Sequence, residues 1–109
     1  MTQIRFDGMR MTAKGHAGSG PFGSDVVCAG MSTLFVTVAE VILEMRDDGK
    51  LQRDPEVQLC PGDVILGMEP TTAGMDKAQN LWDFLLTGCQ MIADSYPQYV
   101  VITEAEADE

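Results

Sequence analysis

Two side chains could act as a nucleophile and its base: Cys28, one of three cysteines, and His16, the only histidine. A thiolate attacks carbonyl carbon readily, and an imidazole within hydrogen-bond reach can take the thiol proton and later deliver it to a leaving group. The charge that builds on the carbonyl oxygen needs N–H donors, which the start of a helix has in surplus. The segment between the two residues contains Gly18, Gly20 and Gly23. A spacing of this kind does not itself bring a histidine to a cysteine. The elements on either side must do that.

On the N-terminal side, Ile4 and Phe6 alternate with polar residues, Asp7-Gly8 is a tight-turn dipeptide, and Met9, Met11 and Ala13 resume the alternation. This predicts a hairpin of strands 2–7 and 9–16 with those five residues on its apolar face. His16 then falls on the other face, with Arg10, Thr12 and Lys14, at the strand's end. Residues 17–23 (Ala17, Gly18, Ser19, Gly20, Pro21, Phe22, Gly23) are too rich in turn formers for regular structure. Such a loop is either a plain connector or a clamp whose small residues let a substrate backbone approach closely. Phe22 in that loop could touch a substrate side chain or cover the site.

Ser24 or Asp25 is a suitable N-cap for a helix running from Val26 to about Met45, with Gly49 as its terminator. Cys28 then lies in the first turn, where the positive end of the helix favours a thiolate. Asp25, three residues earlier, and Ser32, four later, share its face.

The rest of the chain repeats this order. Val57 and Leu59, then Val64, Leu66 and Met68, flank Pro61-Gly62 and predict strands 56–60 and 63–69. Thr71 or Thr72 caps a helix over 74–95, whose stripe is Ala78, Leu81, Trp82, Leu85, Cys89 and Ile92. Tyr99–Thr103 reads as a last strand and 104–109 as an acidic tail. The expected fold is α+β in one domain spanning 1–109, strand-strand-helix twice and then a strand, with two helices on a small sheet. Cys60 and Cys89 are expected on apolar faces, as reduced core residues.

Composition narrows the function classes. The formal net charge is −10, and the seven basic residues form no patch, which argues against a nucleic-acid surface. The acidity suits a basic partner, or simple solubility. The first residues carry no basic-then-apolar leader pattern, so a cytoplasmic protein is expected. An odd number of scattered cysteines with one histidine gives neither a disulfide framework nor a metal site, and thiol chemistry requires no cofactor. Val26–Leu43 is long enough to be weighed as a membrane span, but it contains Glu40 and Gly30 and lacks a basic flank. A core helix or a subunit interface is the expected use.

Gly15-His16-Ala17-Gly18, followed by Asp25-Val26-Val27-Cys28-Ala29-Gly30-Met31-Ser32, resembles the signature of the ribosomal-processing cysteine protease family. That signature is a G-H-A segment and then D-[IV]-V-C-A-x-x-S. The likeness continues through Pro61-Gly62-Asp63 and Tyr96-Pro97-Gln98-Tyr99-Val100. It implies a bacterial endopeptidase that trims a short N-terminal extension from a large-subunit ribosomal protein, the twenty-seventh. It also implies an α+β homodimer, Cys28 as nucleophile and His16 as base, with Gly15, Asp25 and Ser32 as recurrent neighbours. The short first hairpin and the acidic tail depart from the pattern, which bears on fine specificity. Alternative readings are a protease of the same mechanism with a phage or other cellular substrate, or a non-catalytic ribosome-associated binding protein. A thiol redox sensor would need a resolving cysteine, and neither Cys60 nor Cys89 lies near Cys28 in sequence.

Overall fold

Alternation on the strands and three-and-four spacing on the helices each leave one apolar side, and the fold joins them. The structure, a computed structural model, describes residues 1–15 and 22–105; for residues 22–25 the description covers the backbone only. Strands β1 (Thr2–Asp7), β2 (Arg10–Lys14), β3 (Glu56–Cys60), β4 (Asp63–Gly67) and β5 (Val100–Glu104) form one sheet in the order β3-β4-β2-β1-β5. All neighbours are antiparallel except β1 and β5. That parallel pair follows from connectivity, since β5 enters after a helix has crossed the sheet.

Register places Ile4 opposite Ala13 and Ile102, and Met11 opposite Phe6 and Leu66. These residues share one face, and both helices cover it. The opposite face carries Gln3, Arg5 and Lys14, exposed to solvent. Helix α1 (Phe22–Asp47) buries Val27, Met31, Phe35, Val38, Ala39, Ile42 and Met45 on the sheet. Helix α2 (Met75–Ser95) buries Ala78, Trp82, Leu85, Cys89 and Ala93. The two helices meet closely at Gly88, where a Cβ would stand 2.8 Å from Leu34 Cδ2.

The expected element order holds, with several corrections at the ends. The first turn is Gly8-Met9, not Asp7-Gly8, because Asp7 pairs with Arg10. Gly8 supplies the positive φ of 57° at the first central position, as a II′ turn requires. β2 stops at Lys14 and β4 at Gly67, both short of their expected ends. α1 begins at Phe22, so Phe22 and Gly23 belong to the helix rather than to a loop, and Ser24 and Asp25 are inside it rather than capping it. Gly49, at φ 71°, ends that helix as expected, while Lys50 N–H donates to Met45 O at 2.9 Å. Thr71 caps a 3-10 turn (Thr72–Gly74) ahead of α2 by accepting from Gly74 N–H at 3.2 Å. β5 extends to Glu104, and Ala105 N–H still donates to Phe6 O at 2.8 Å. The segment read as a tail thus starts within the sheet; residues 106–109 lie outside the description.

Trp82 joins α2 to the first hairpin. Its Nε1–H donates to Gly8 O at 2.9 Å, and its ring meets Phe6 edge to face at 6.3 Å. Trp82→Phe keeps most of the ring but strips the Gly8 carbonyl of its partner. The expected loss is about 1–3 kcal/mol, read as a lower urea midpoint with unchanged m-value.

By length and composition, Val26–Asp47 could cross a membrane. In this fold it lies along the sheet, with 33% of its apolar window buried. Its outward side includes Val26, which is exposed.

Candidate active site

A cleft of about 300 Å³ opens between α1 and the ends of β2, β3 and β4. Its helix wall is Cys28, Met31, Ser32, Phe35 and Val36. The sheet contributes Thr2, Ala13, Leu59 and Val64, and the rim is made by Gly15, Cys60 and the Pro61-Gly62 turn. An apolar cleft with one thiol and a few polar groups can seat a peptide side chain against a nucleophile.

Cys28 is half-buried in the helix wall, and Ser32, one turn later, is exposed beside it. Because α1 starts at Phe22, Cys28 lies in the second turn, not the first. Its N–H falls within the i→i−4 ladder and is not one of the free donors of a helix end. The electrostatic setting expected from a helix start therefore does not reach Cys28, since that effect fades within one turn. An oxyanion formed there needs donors from elsewhere.

Gly15 is held from both sides. Its N–H donates to Gly62 O at 2.9 Å, and its carbonyl accepts from Thr2 Oγ1 at 3.4 Å. It adopts φ 91°, and a Cβ would lie 2.6 Å from Met1 O. Only glycine fits this backbone. Lys14, the preceding residue, pairs with Asp63 and keeps that carboxyl below its usual range. Because Asp63 titrates lower when folded, the tie contributes above the ordinary carboxylate range and is lost as pH falls. Arg10 pairs with Glu56 at 3.0 Å farther along the same sheet face.

The residues expected at the site divide accordingly. Gly15, Cys28 and Ser32 line one cleft. His16, Ala17, Gly18, Ser19, Gly20 and Pro21 lie outside the described residues, as do the side chains of Phe22 and Asp25. Among the described residues, no group of three His, Cys, Asp or Glu side chains could hold a metal ion.

Thr2, Leu59 and Cys60 were not expected at the site. Leu59 is exposed at 43% because it faces the cleft rather than packed core. Cys60 is exposed, which corrects its expected place in the core. The signal in the sequence was its place beside the Pro61-Gly62 turn, where β3 ends. Cys89 is buried as expected, and burial pushes its thiol up to about 12 from 9.0. Native protein at pH 8 should therefore be alkylated by iodoacetamide at Cys28 and Cys60 and spared at Cys89, as read by peptide mass mapping. Folding holds the Cys89 proton, so this contribution is present below pH 9 and lost between about 9 and 12 as the unfolded thiol ionises.

The family model described as Cysteine protease Prp matches residues 1–101. The chain belongs to the Prp cysteine protease family. It is thus a cysteine protease, and the likeness extends to solved folds. An essential ribosomal processing protease Prp from S. aureus, in complex with a covalently linked product peptide, superposes with a TM-score of 0.74 at 20% identity. The match covers 96% of this chain and 100% of that one. The S. aureus Prp in complex with a substrate peptide gives 0.69 at 20% identity over 95% and 97%. SMU.848 from Streptococcus mutans gives 0.66 at 23% identity over 94% and 90%. At these identities the structures share the Prp fold: five strands, two helices, α+β. A search of the curated proteins finds no match.

Proposed function

We propose that this Prp-family protease removes a short N-terminal extension from a large-subunit ribosomal protein, the twenty-seventh, with Cys28 as nucleophile and His16 as base. The observation that carries the reading is a half-buried thiol on the wall of an apolar cleft that Gly15 also lines. Gly15 immediately precedes the histidine of the G-H-A motif.

In this reading His16 accepts the Cys28 proton as Sγ attacks the scissile carbonyl carbon. Collapse of the tetrahedral intermediate expels the amine, which takes that proton, and leaves a thioester on Cys28. Water, deprotonated by His16, then hydrolyses the thioester and frees the shortened chain's partner fragment. Met31, Phe35 and Leu59 receive an apolar side chain next to the cut. Ser32 and Asp25 support the site.

A net charge of −10 draws a basic ribosomal protein toward the enzyme. The exposed Val26 on the outward side of α1 fits a homodimer contact, and a substrate of this kind fits a cytoplasmic enzyme. The test is incubation with the extended ribosomal protein, the product mass showing loss of the N-terminal extension. A non-catalytic binding protein would leave that mass unchanged. A protease directed at a phage or other cellular protein would cleave its own target and spare this one.

A further inference from the structure

The cleft that holds Cys28 has a second thiol on its border. Cys60 ends β3 beside the Pro61-Gly62 turn, and both cysteines line the same space of about 300 Å³. Far apart in the chain, they are brought together by the fold. Both are free thiols; Cys28 is half-buried and Cys60 exposed. The elements that carry them are close, since α1 and β3 approach within 8 Å between Cα atoms. A disulfide needs Cα atoms within about 7 Å of each other. β3 is an edge strand and Cys60 its last residue, so the small adjustment such a bond requires there disturbs one strand pairing only. Cys89, the third cysteine, is sealed in the core and does not line the cleft.

We propose that Cys28 and Cys60 act as a reversible redox pair, which hydrogen peroxide joins as a disulfide across the cleft to halt the protease. This rests on the reading of Cys28 as the nucleophile. The Cys28 thiolate attacks one oxygen of the peroxide and the O–O bond breaks. The sulfur becomes a sulfenic acid, and the second oxygen leaves as water with the thiol's proton. The Cys60 sulfur then attacks the Cys28 sulfur, the S–O bond breaks, and the hydroxyl leaves as water with the Cys60 proton. The two thiols together lose two electrons, and one peroxide is reduced to two waters. In the joined state Cys28 has no free sulfur to attack a carbonyl, and the bridge crosses the space a peptide would fill. A dithiol opens the bridge by exchange and returns both electrons and both protons. With no partner at the rim, the sulfenic acid oxidises further to sulfinic acid, which thiols do not reduce.

The test treats the full chain with hydrogen peroxide and caps the remaining thiols with iodoacetamide for peptide mass mapping. Cleavage of the extended ribosomal protein is read on uncapped samples before and after dithiothreitol. The parent is expected to give a Cys28–Cys60 linked peptide pair within one chain, to lose cleavage at least about tenfold, and to regain most of it with dithiothreitol. Cys60→Ser should lose cleavage as the parent does but regain less than about a tenth of its own reduced rate, with Cys28 found as sulfinic acid. The switch is overturned if Cys28 of the oxidised parent is found as sulfinic acid or linked to another chain, or if Cys60→Ser recovers as the parent does. The mapping arm needs no substrate. A linked pair in a parent that cleaves no extended ribosomal protein removes the substrate assignment and leaves the switch standing. Cleavage by the reduced parent with no linked pair after peroxide removes the switch and leaves the proposed function standing.

Discussion

Cys28→Ala is expected to abolish peptide cleavage, removal of the proposed N-terminal extension included, while leaving the fold and melting temperature nearly unchanged. The side chain is half-buried at a cleft wall, so its loss leaves little empty volume in the core. Cys89 is sealed in the core, and Cys60, although exposed at the cleft rim, lies outside the two-part motif that carries Cys28 and His16. The expected loss in kcat is on the order of 10⁴-fold or more, and His16→Ala is expected to cost about as much, since a nucleophile and its base act as a unit. The double variant should then be no slower than either single one. The measurement is single-turnover cleavage of the extended ribosomal protein, followed by mass. If Cys28→Ala retained even a tenth of the parent rate, the nucleophile would have to be assigned elsewhere.

Gly15→Ala is the second large effect, and it acts through the backbone. A Cβ at this residue would lie 2.6 Å from Met1 O, and φ 91° is a conformation that alanine rarely adopts. Strain of this kind costs about 1–3 kcal/mol. For a domain near this size it lowers the melting temperature by on the order of 10 °C. The alternative for the variant is to move, which breaks the Gly15–Gly62 and Thr2–Gly15 hydrogen bonds. Either route displaces the residue that follows. Gly15→Ala should therefore lose both stability and cleavage. Gly8→Ala is the control: Gly8 also has a positive φ, but open space surrounds its missing Cβ, and it sits at the other end of the sheet. It should cost stability through backbone strain and leave kcat unchanged once the protein is folded. Differential scanning calorimetry and peptide cleavage on both variants separate strain from site geometry.

These expectations show where the fold was legible in the chain and where it was not. The strand-strand-helix order, the apolar faces of β1, β2 and α2, and the terminating Gly49 could be read from residue periodicity and glycine placement, because those signals depend on neighbours a few positions away. The start of α1 could not. Ser24 and Asp25 have strong capping chemistry, but Phe22 and Gly23 precede them within the helix; one further turn of backbone hydrogen bonds prevails over a side-chain cap. The consequence was chemical, since the shift moved Cys28 from the first turn to the second and removed the helix end as the source of its electrostatics. Cys60 went wrong for a simpler reason. Its apolar neighbours suggest a core position, whereas it ends β3 beside the Pro61-Gly62 turn and is exposed at the rim of the cleft.

By itself the sequence determined the chemistry on offer: one histidine, a cysteine before an apolar helix, a glycine-rich segment between them, and a two-part motif specific enough to identify a protease family. These are properties of residue type and short spacing, which the chain carries wherever it folds. Only the tertiary structure decided what surrounds the thiol. The order β3-β4-β2-β1-β5 brings the Pro61-Gly62 turn against Gly15 and sets Thr2 beneath it, residues with no local relation to one another. Strand order and register arise from burying one shared apolar face under two helices. That is a global condition, and no stretch of this sequence states it alone.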